Sequence, residues 1–263
     1  MRFVSRGLTI ALLVGAAVLS EADEPTIHLT CSADSETATL RNRDPGAVFA
    51  ELHRLADSPD AGTRHNALLA WSFQLSRHGH LLGLKERSAI AEIALSRLST
   101  NDERELYPAL MVFAEMGEWK MVEDRCRVLL QHENGQVRAL ALWVLCQSGK
   151  PELGRELITT INKWSSPPSP FGAAQKFLLD AVHSWVVRCP DGATISSTIL
   201  EILGNKALSE DFRERVFHEF LRHPEDQEFW ALLRELSIRP TTTQRIRDLA
   251  SQILQKRDKP GTP

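Results

Sequence analysis

The sequence has almost no strand-like alternation of β-branched residues, and that lack excludes a sheet as its organising element. It also lacks the compact motifs of common chemistry. There is no G-x-S-x-G, no phosphate-cradling glycine loop, no H-E-x-x-H and no C-x-x-C-H, so the usual sequence signs of nucleophilic, nucleotide, zinc or haem chemistry are missing. Neither sign of charge is in excess. Thirty-one basic residues against 34 acidic ones give a net charge of -3. A general nucleic-acid binder wants a strongly basic domain, and membrane-surface binding through Lys/Arg clusters is disfavoured for the same reason. Cysteine is sparse: Cys31, Cys126, Cys146 and Cys189 stand at spacings that match no metal or redox motif.

No apolar run is long enough to span a bilayer. The longest, Leu8 to Leu19, is broken only by Thr9 and Gly15. It follows Arg2 and Arg6 and precedes Ser20-Glu21-Ala22, an order that reads as a signal peptide over residues 1–22 with cleavage near Ala22. An uncleaved anchor is the competing reading. The expectation is therefore a protein exported to the periplasm or secreted, with no membrane span in the mature chain. Cleavage removes two arginines and one glutamate and leaves a net charge of -4. Four cysteines in an exported chain allow two disulfides in any of three pairings. Cys126 falls on the apolar stripe Val122, Cys126, Leu129, Leu130, which favours buried thiols over bridges.

What is present is helical texture. Residues 23–44 read as a polar, flexible leader, 45–257 as the folded domain and 258–263 as a C-terminal tail. Beyond Pro45, apolar residues recur at three- and four-residue spacing, as in Val48, Leu52, Leu55 and again Leu68, Leu69, Phe73. A small cap-type residue is followed four positions later by arginine in five places: Asp60 to Arg64, Thr100 to Arg104, Asn134 to Arg138, Asp211 to Arg215 and Thr243 to Arg247. An alanine follows by three in Ala67, Ala141 and Ala250. Asp, Asn and Thr cap the free N–H groups of a first helical turn, and small alanines admit a close neighbouring helix. An arginine so early opposes the helix dipole, so its recurrence predicts a specific acceptor, an acid or carbonyl in the neighbouring unit.

The stretches beginning Asn134-Gly-Gln-Val-Arg-Ala and Asp60-Ala-Gly-Thr-Arg-His resemble the second helix of HEAT repeats, an armadillo-type α-solenoid family. The resemblance covers Pro45 to Lys256 and implies an all-α superhelix of about six helical hairpins, at 45–79, 84–117, 119–148, 151–189, 193–223 and 225–256. Two departures stand out. The fourth unit lacks the arginine after the break Pro167-Pro168-Ser169-Pro170, and Pro108 lies inside the second unit's helix, where it should kink it. Met116-Gly-Glu-Trp119 resembles a TPR turn, but that signature occurs once.

The candidate chemistry is thin. His78-Gly79-His80, with His65 upstream, has no acid or cysteine at a metal-ligand spacing, so no metal or other cofactor is expected. Acidic neighbours such as Glu123-Asp124 and Glu225-Asp226 read as solvated surface. Six tryptophans against one tyrosine are read first as core filling; the sharper alternative is a partner-binding surface, with Trp71, Trp143 and Trp185 as candidates. The function expected is a non-enzymatic scaffold that binds a protein or peptide through the concave face of the solenoid. HEAT-like enzymes, the DNA glycosylases and tetrapyrrole lyases, supply the alternative, with Trp143, Trp185 and Asp180 as its imagined residues. Export and acidic charge oppose the glycosylase, and the lyase rests on analogy of fold.

Overall fold

The computed structural model describes residues 27–30, 37–40, 45–164, 173–222 and 226–258. The signal peptide, Cys31, the Pro167–Pro170 break and the tail beyond 258 lie outside them. The leader contributes one element the polar texture did not suggest. Strands β1 (Ile27–Thr30) and β2 (Thr37–Leu40) pair antiparallel, Ile27 opposite Leu40. Everything else regular among the described residues is helical.

The chain divides into two compact units, Met1–Glu118 and Trp119–Pro263. In the first, α1 (Pro45–Ala56) and α2 (Ala61–His78) form one hairpin, and α3 (Leu84–Leu98) with α4 (Glu103–Met116) form the next. Helix α2 packs along α4, and β1 lies against α2.

The second unit holds four hairpins. They are α5 (Glu123–Leu129) with α6 (Gly135–Cys146), α7 (Leu153–Trp164) with α8 (Ala173–Arg188), α9 (Gly192–Gly204) with α10 (Glu210–Phe220), and α11 (Gln227–Ile238) with α12 (Gln244–Asp258). The second helices pack in series, α6 on α8, α8 on α10 and α10 on α12. First helices do likewise, α7 on α9 and α9 on α11. Each unit is thus a stack of hairpins, the α-solenoid construction in which every hairpin buries its apolar faces on its neighbours.

Local chemistry starts the helices where it is strongest. Asp60, Asp102, Asn134, Asp191, Ser209 and Asp226 each accept a hydrogen bond from a first-turn backbone N–H of α2, α4, α6, α9, α10 and α11 respectively. The core then forms from the apolar stripes. Ala67, Ala141 and Ala250 are all buried, which is how the small positions of the repeat admit neighbouring helices. Cys126, Cys146 and Cys189 are buried free thiols.

Pro108 does not break its helix; α4 runs through it. A proline cannot bond to the carbonyl four residues back, here Arg104. That carbonyl instead receives His65 Nδ1–H from α2, at 2.6 Å. The orphaned acceptor is satisfied across the hairpin stack.

Candidate functional site

The recurrent arginines are the first candidates, and the structure gives them a specific job. Arg64 Nη1 donates to the carbonyls of Ser58 and Pro59, at 2.9 and 2.7 Å. Arg138 Nη1 donates to His132 and Glu133, at 2.6 and 2.7 Å. Arg247 Nη1 donates to the carbonyls of Thr242 and Arg239. The acceptors are carbonyls of the arginine's own preceding turn, not of the neighbouring unit. One guanidinium fork thereby ties a helix to the turn that enters it, and the cost of its charge at the helix start is met by carbonyl dipoles.

Among the described residues, Arg64 alone of these three also reaches the next hairpin. Its Nε and Nη2 donate to Glu105 Oε1 on α4. Arg97 from α3 stands 3.5 Å from the other oxygen and 3.7 Å from Asp57. Glu105 is 6% exposed, so two cations compensate a carboxylate that burial alone would penalise.

The cap geometry corrects the register of two repeat pairs. In α10 the cap is Ser209, whose hydroxyl accepts from Phe212 N–H, so the fourth position after it is Arg213. Arg213 is buried and donates to the Leu203 carbonyl. Asp211 and Arg215 form an exposed ion pair one turn apart at 3.1 Å. In α4 the cap is Asp102 rather than Thr100, which places Leu106 at the arginine position. Arg104 is exposed and takes part through its carbonyl to His65. Sequence spacing found a cap-type residue before an arginine; only a formed hydrogen bond shows which residue is the cap.

The three tryptophans singled out as partner contacts lie in the core. Trp71 and Trp185 are 0% exposed and Trp143 is 9%. Trp185 donates its indole N–H to the Lys150 carbonyl and Trp143 to Ser184 Oγ. Trp143 is stacked on Phe177 at 6.1 Å. Asp180 is paired with Lys176 at 2.7 Å. These three residues are not assembled into an open acid-and-aromatic site. Of the histidine cluster, the side chain of His78 lies outside what is described, while His65 is committed to Arg104. Among the described residues no group of three or more His, Cys, Asp or Glu side chains is placed to hold a metal ion.

The titratable groups that depart from ordinary behaviour do so for structural reasons. The cap bonds from Thr63 and Thr194 hold the Asp60 and Asp191 carboxyls below the usual aspartate value. Lys150 and Arg127 do the same for Glu123. Burial pushes the Cys126 thiol up to about 12 and raises Cys146, Cys189 and the Tyr107 phenol. Each shift keeps its group in its ordinary form at neutral pH.

Among the described residues, two surfaces bear on binding. One is the row of second helices in the second unit, where Lys176 and Val187 on α8, Arg215 and His218 on α10, and Arg245 on α12 are exposed. Helix-to-helix pairs join this row: His183 Nδ1 stands 2.9 Å from Glu219, and Arg245 3.0 Å from Glu214. The other is a cavity of about 450 Å³ in the first unit, lined from α1 by Phe49, Ala50 and His53, from α2 by Trp71, and from α3 and the turn before it by Leu82, Lys85, Glu86, Ala89 and Ile90. Nothing in the sequence pattern marked this cavity, because its walls come from three helices.

No protein-family model matches the sequence, and no curated protein matches it. Among solved structures the chain is similar to an engineered protein at 16% identity, with a TM-score of 0.47 over 80% of this chain and 95% of that one. It is also similar to an archaeal HEAT-like repeats protein from Thermococcus onnurineus NA1, at 18% identity and a TM-score of 0.43 over 94% of this chain and 91% of that one. The solenoid assignment rests on the hairpin packing itself.

Proposed function

We propose that the protein is an exported, non-enzymatic scaffold of the HEAT-like kind that binds a protein or peptide partner along its row of second helices. One observation carries the reading: α8, α10 and α12 pack in series and expose charged side chains together with Val187. Such a surface recognises an extended or helical partner by many modest contacts, the usual mode of stacked-hairpin proteins. Lys176, Arg215 and Arg245 are paired with Asp180, Asp211 and Glu214 within this row, so the surface presents alternating charge to which a partner of mixed charge is complementary. The signal-peptide pattern of residues 1–22 supports the exported address.

The test uses the purified protein immobilised at physiological salt and challenged with envelope and secreted fractions. A partner that is retained by the native protein and lost from the double variant Lys176→Glu, Arg245→Glu supports the reading. Recovery of no partner from either fraction, or equal retention by the variant, overturns it.

A further inference from the structure

The packing of α6 on α8 brings together two of the buried thiols. Contacts on both sides of Cys146 pin the register of these helices. Before it, Trp143 donates to Ser184 Oγ at 3.1 Å. After it, Gly149 comes so close to the end of α8 that a Cβ there would stand 2.6 Å from the Arg188 carbonyl carbon. Positions rise together along both helices, so α6 and α8 run parallel. Cys146 lies between these contacts, and its carbonyl accepts from Gly149 N–H at 3.1 Å. Cys189 follows Arg188 directly, and its N–H donates to the Trp185 carbonyl at 2.8 Å. Each cysteine is thus within one turn of the same backbone contact.

The side chains share the interior. Cys146 is 0% exposed and Cys189 6%. The Cys146 thiol is raised by burial first and then by the charge Cys189 would carry, an effect of neighbouring groups. Cys126, on α5, takes its charge influence from Arg125 instead. The Cys189 sulfur makes a weak contact, 3.9 Å from the Asp191 carbonyl oxygen, which gives up little when the sulfur turns away.

We propose that Cys146 and Cys189 form a disulfide site that clamps the hairpin of α5 and α6 to that of α7 and α8. The free thiols of this structure are its reduced state. The oxidant is a small or protein disulfide. One cysteine sulfur attacks it, and the second then displaces the resulting mixed disulfide. An Sγ–Sγ bond forms and the oxidant's S–S bond breaks; the two protons and two electrons lost by the cysteines leave on two thiols. Burial and the raised thiols slow this exchange once the hairpins have docked, so the bond closes during folding and is shielded afterwards. An exported address would supply the oxidising compartment.

The test is independent of that address. The full chain is unfolded, refolded with oxidised glutathione, alkylated under denaturing conditions and mapped by mass spectrometry. The expected result is a peptide pair joining Cys146 to Cys189, with Cys126 alkylated. The bridged protein should melt roughly 10 °C above the same protein after reduction. Cys146→Ala and Cys189→Ala should each abolish that difference between oxidised and reduced samples, and Cys126→Ala should keep it. Comparing the two redox states of one variant cancels any loss of stability from the substitution itself. Absence of the Cys146–Cys189 peptide pair, or a bridge from either cysteine to Cys31 or Cys126 in its place, overturns the proposal. So does a Cys146–Cys189 bridge that leaves the melting temperature unchanged or lowers it, because the folded packing would then not hold the two sulfurs ready to join.

Discussion

Pro108 shows how a defect written into one residue is repaired by another that is distant in sequence. It removes an amide from α4, and His65 donates to the carbonyl that amide would have served. His65→Ala is expected to cost about 1 kcal/mol by denaturant unfolding. In the background of Pro108→Ala, which restores the helical amide, the same substitution costs less. A double-mutant cycle with no coupling would disprove the link. The arginine register makes a second demand at this scale. Arg213 is buried on the Leu203 carbonyl, whereas Arg215 is in an exposed ion pair. Arg213→Met should lower stability by about 1–3 kcal/mol, because a buried carbonyl loses its donor. Arg215→Met should change it by less than about 0.5 kcal/mol. Unfolding curves that reverse this order would restore the spacing-based register.

At the level of elements, hairpin junctions carry the constraints. Gly117 and Gly149 both have positive φ, at 74° and 65°, but their surroundings differ. A Cβ on Gly117 meets nothing within 4 Å, while one on Gly149 would stand 2.6 Å from the Arg188 carbonyl carbon. Gly117→Ala therefore costs only the backbone preference, about 1–2 kcal/mol. Gly149→Ala adds a collision with main chain that cannot swing aside, and its loss of melting temperature should be clearly the larger. Equal losses would mean the two junctions of the second unit's α6 and α8 are not in close approach. The helical hairpins themselves were legible from three- and four-residue apolar spacing and cap residues, because both signals are local. The β1–β2 hairpin was not: it is short, polar in texture, and specified by a pairing rather than a period.

On the scale of the molecule, function turns on what the stacked hairpins leave exposed. The tryptophans read first as core filling, with partner binding as the alternative, and Trp71 and Trp185 are wholly buried; composition by itself does not separate a core aromatic from a surface one. Burial of the cysteines has a global consequence. Cys126 is fully enclosed with its thiol pushed up to about 12, and Cys146 is raised by burial as well. Both should resist a thiol reagent at neutral pH in the native protein and react only as fast as the second unit unfolds. Labelling by mass spectrometry across a denaturant series checks this; reaction of either thiol before the unfolding transition would show local opening instead.

The amino-acid sequence alone determined that this protein is a series of helical hairpins, since apolar period, capping side chains and turn residues act within a few positions of one another. Its lack of common catalytic motifs was equally visible there. Tertiary structure decided the rest: which residue caps α4 and α10, that Arg64, Arg138 and Arg247 hold their own turns, and that Trp71, Trp143 and Trp185 are core. Those features depend on which side chains meet across helices, and the distances that decide them exist only once the hairpins have stacked.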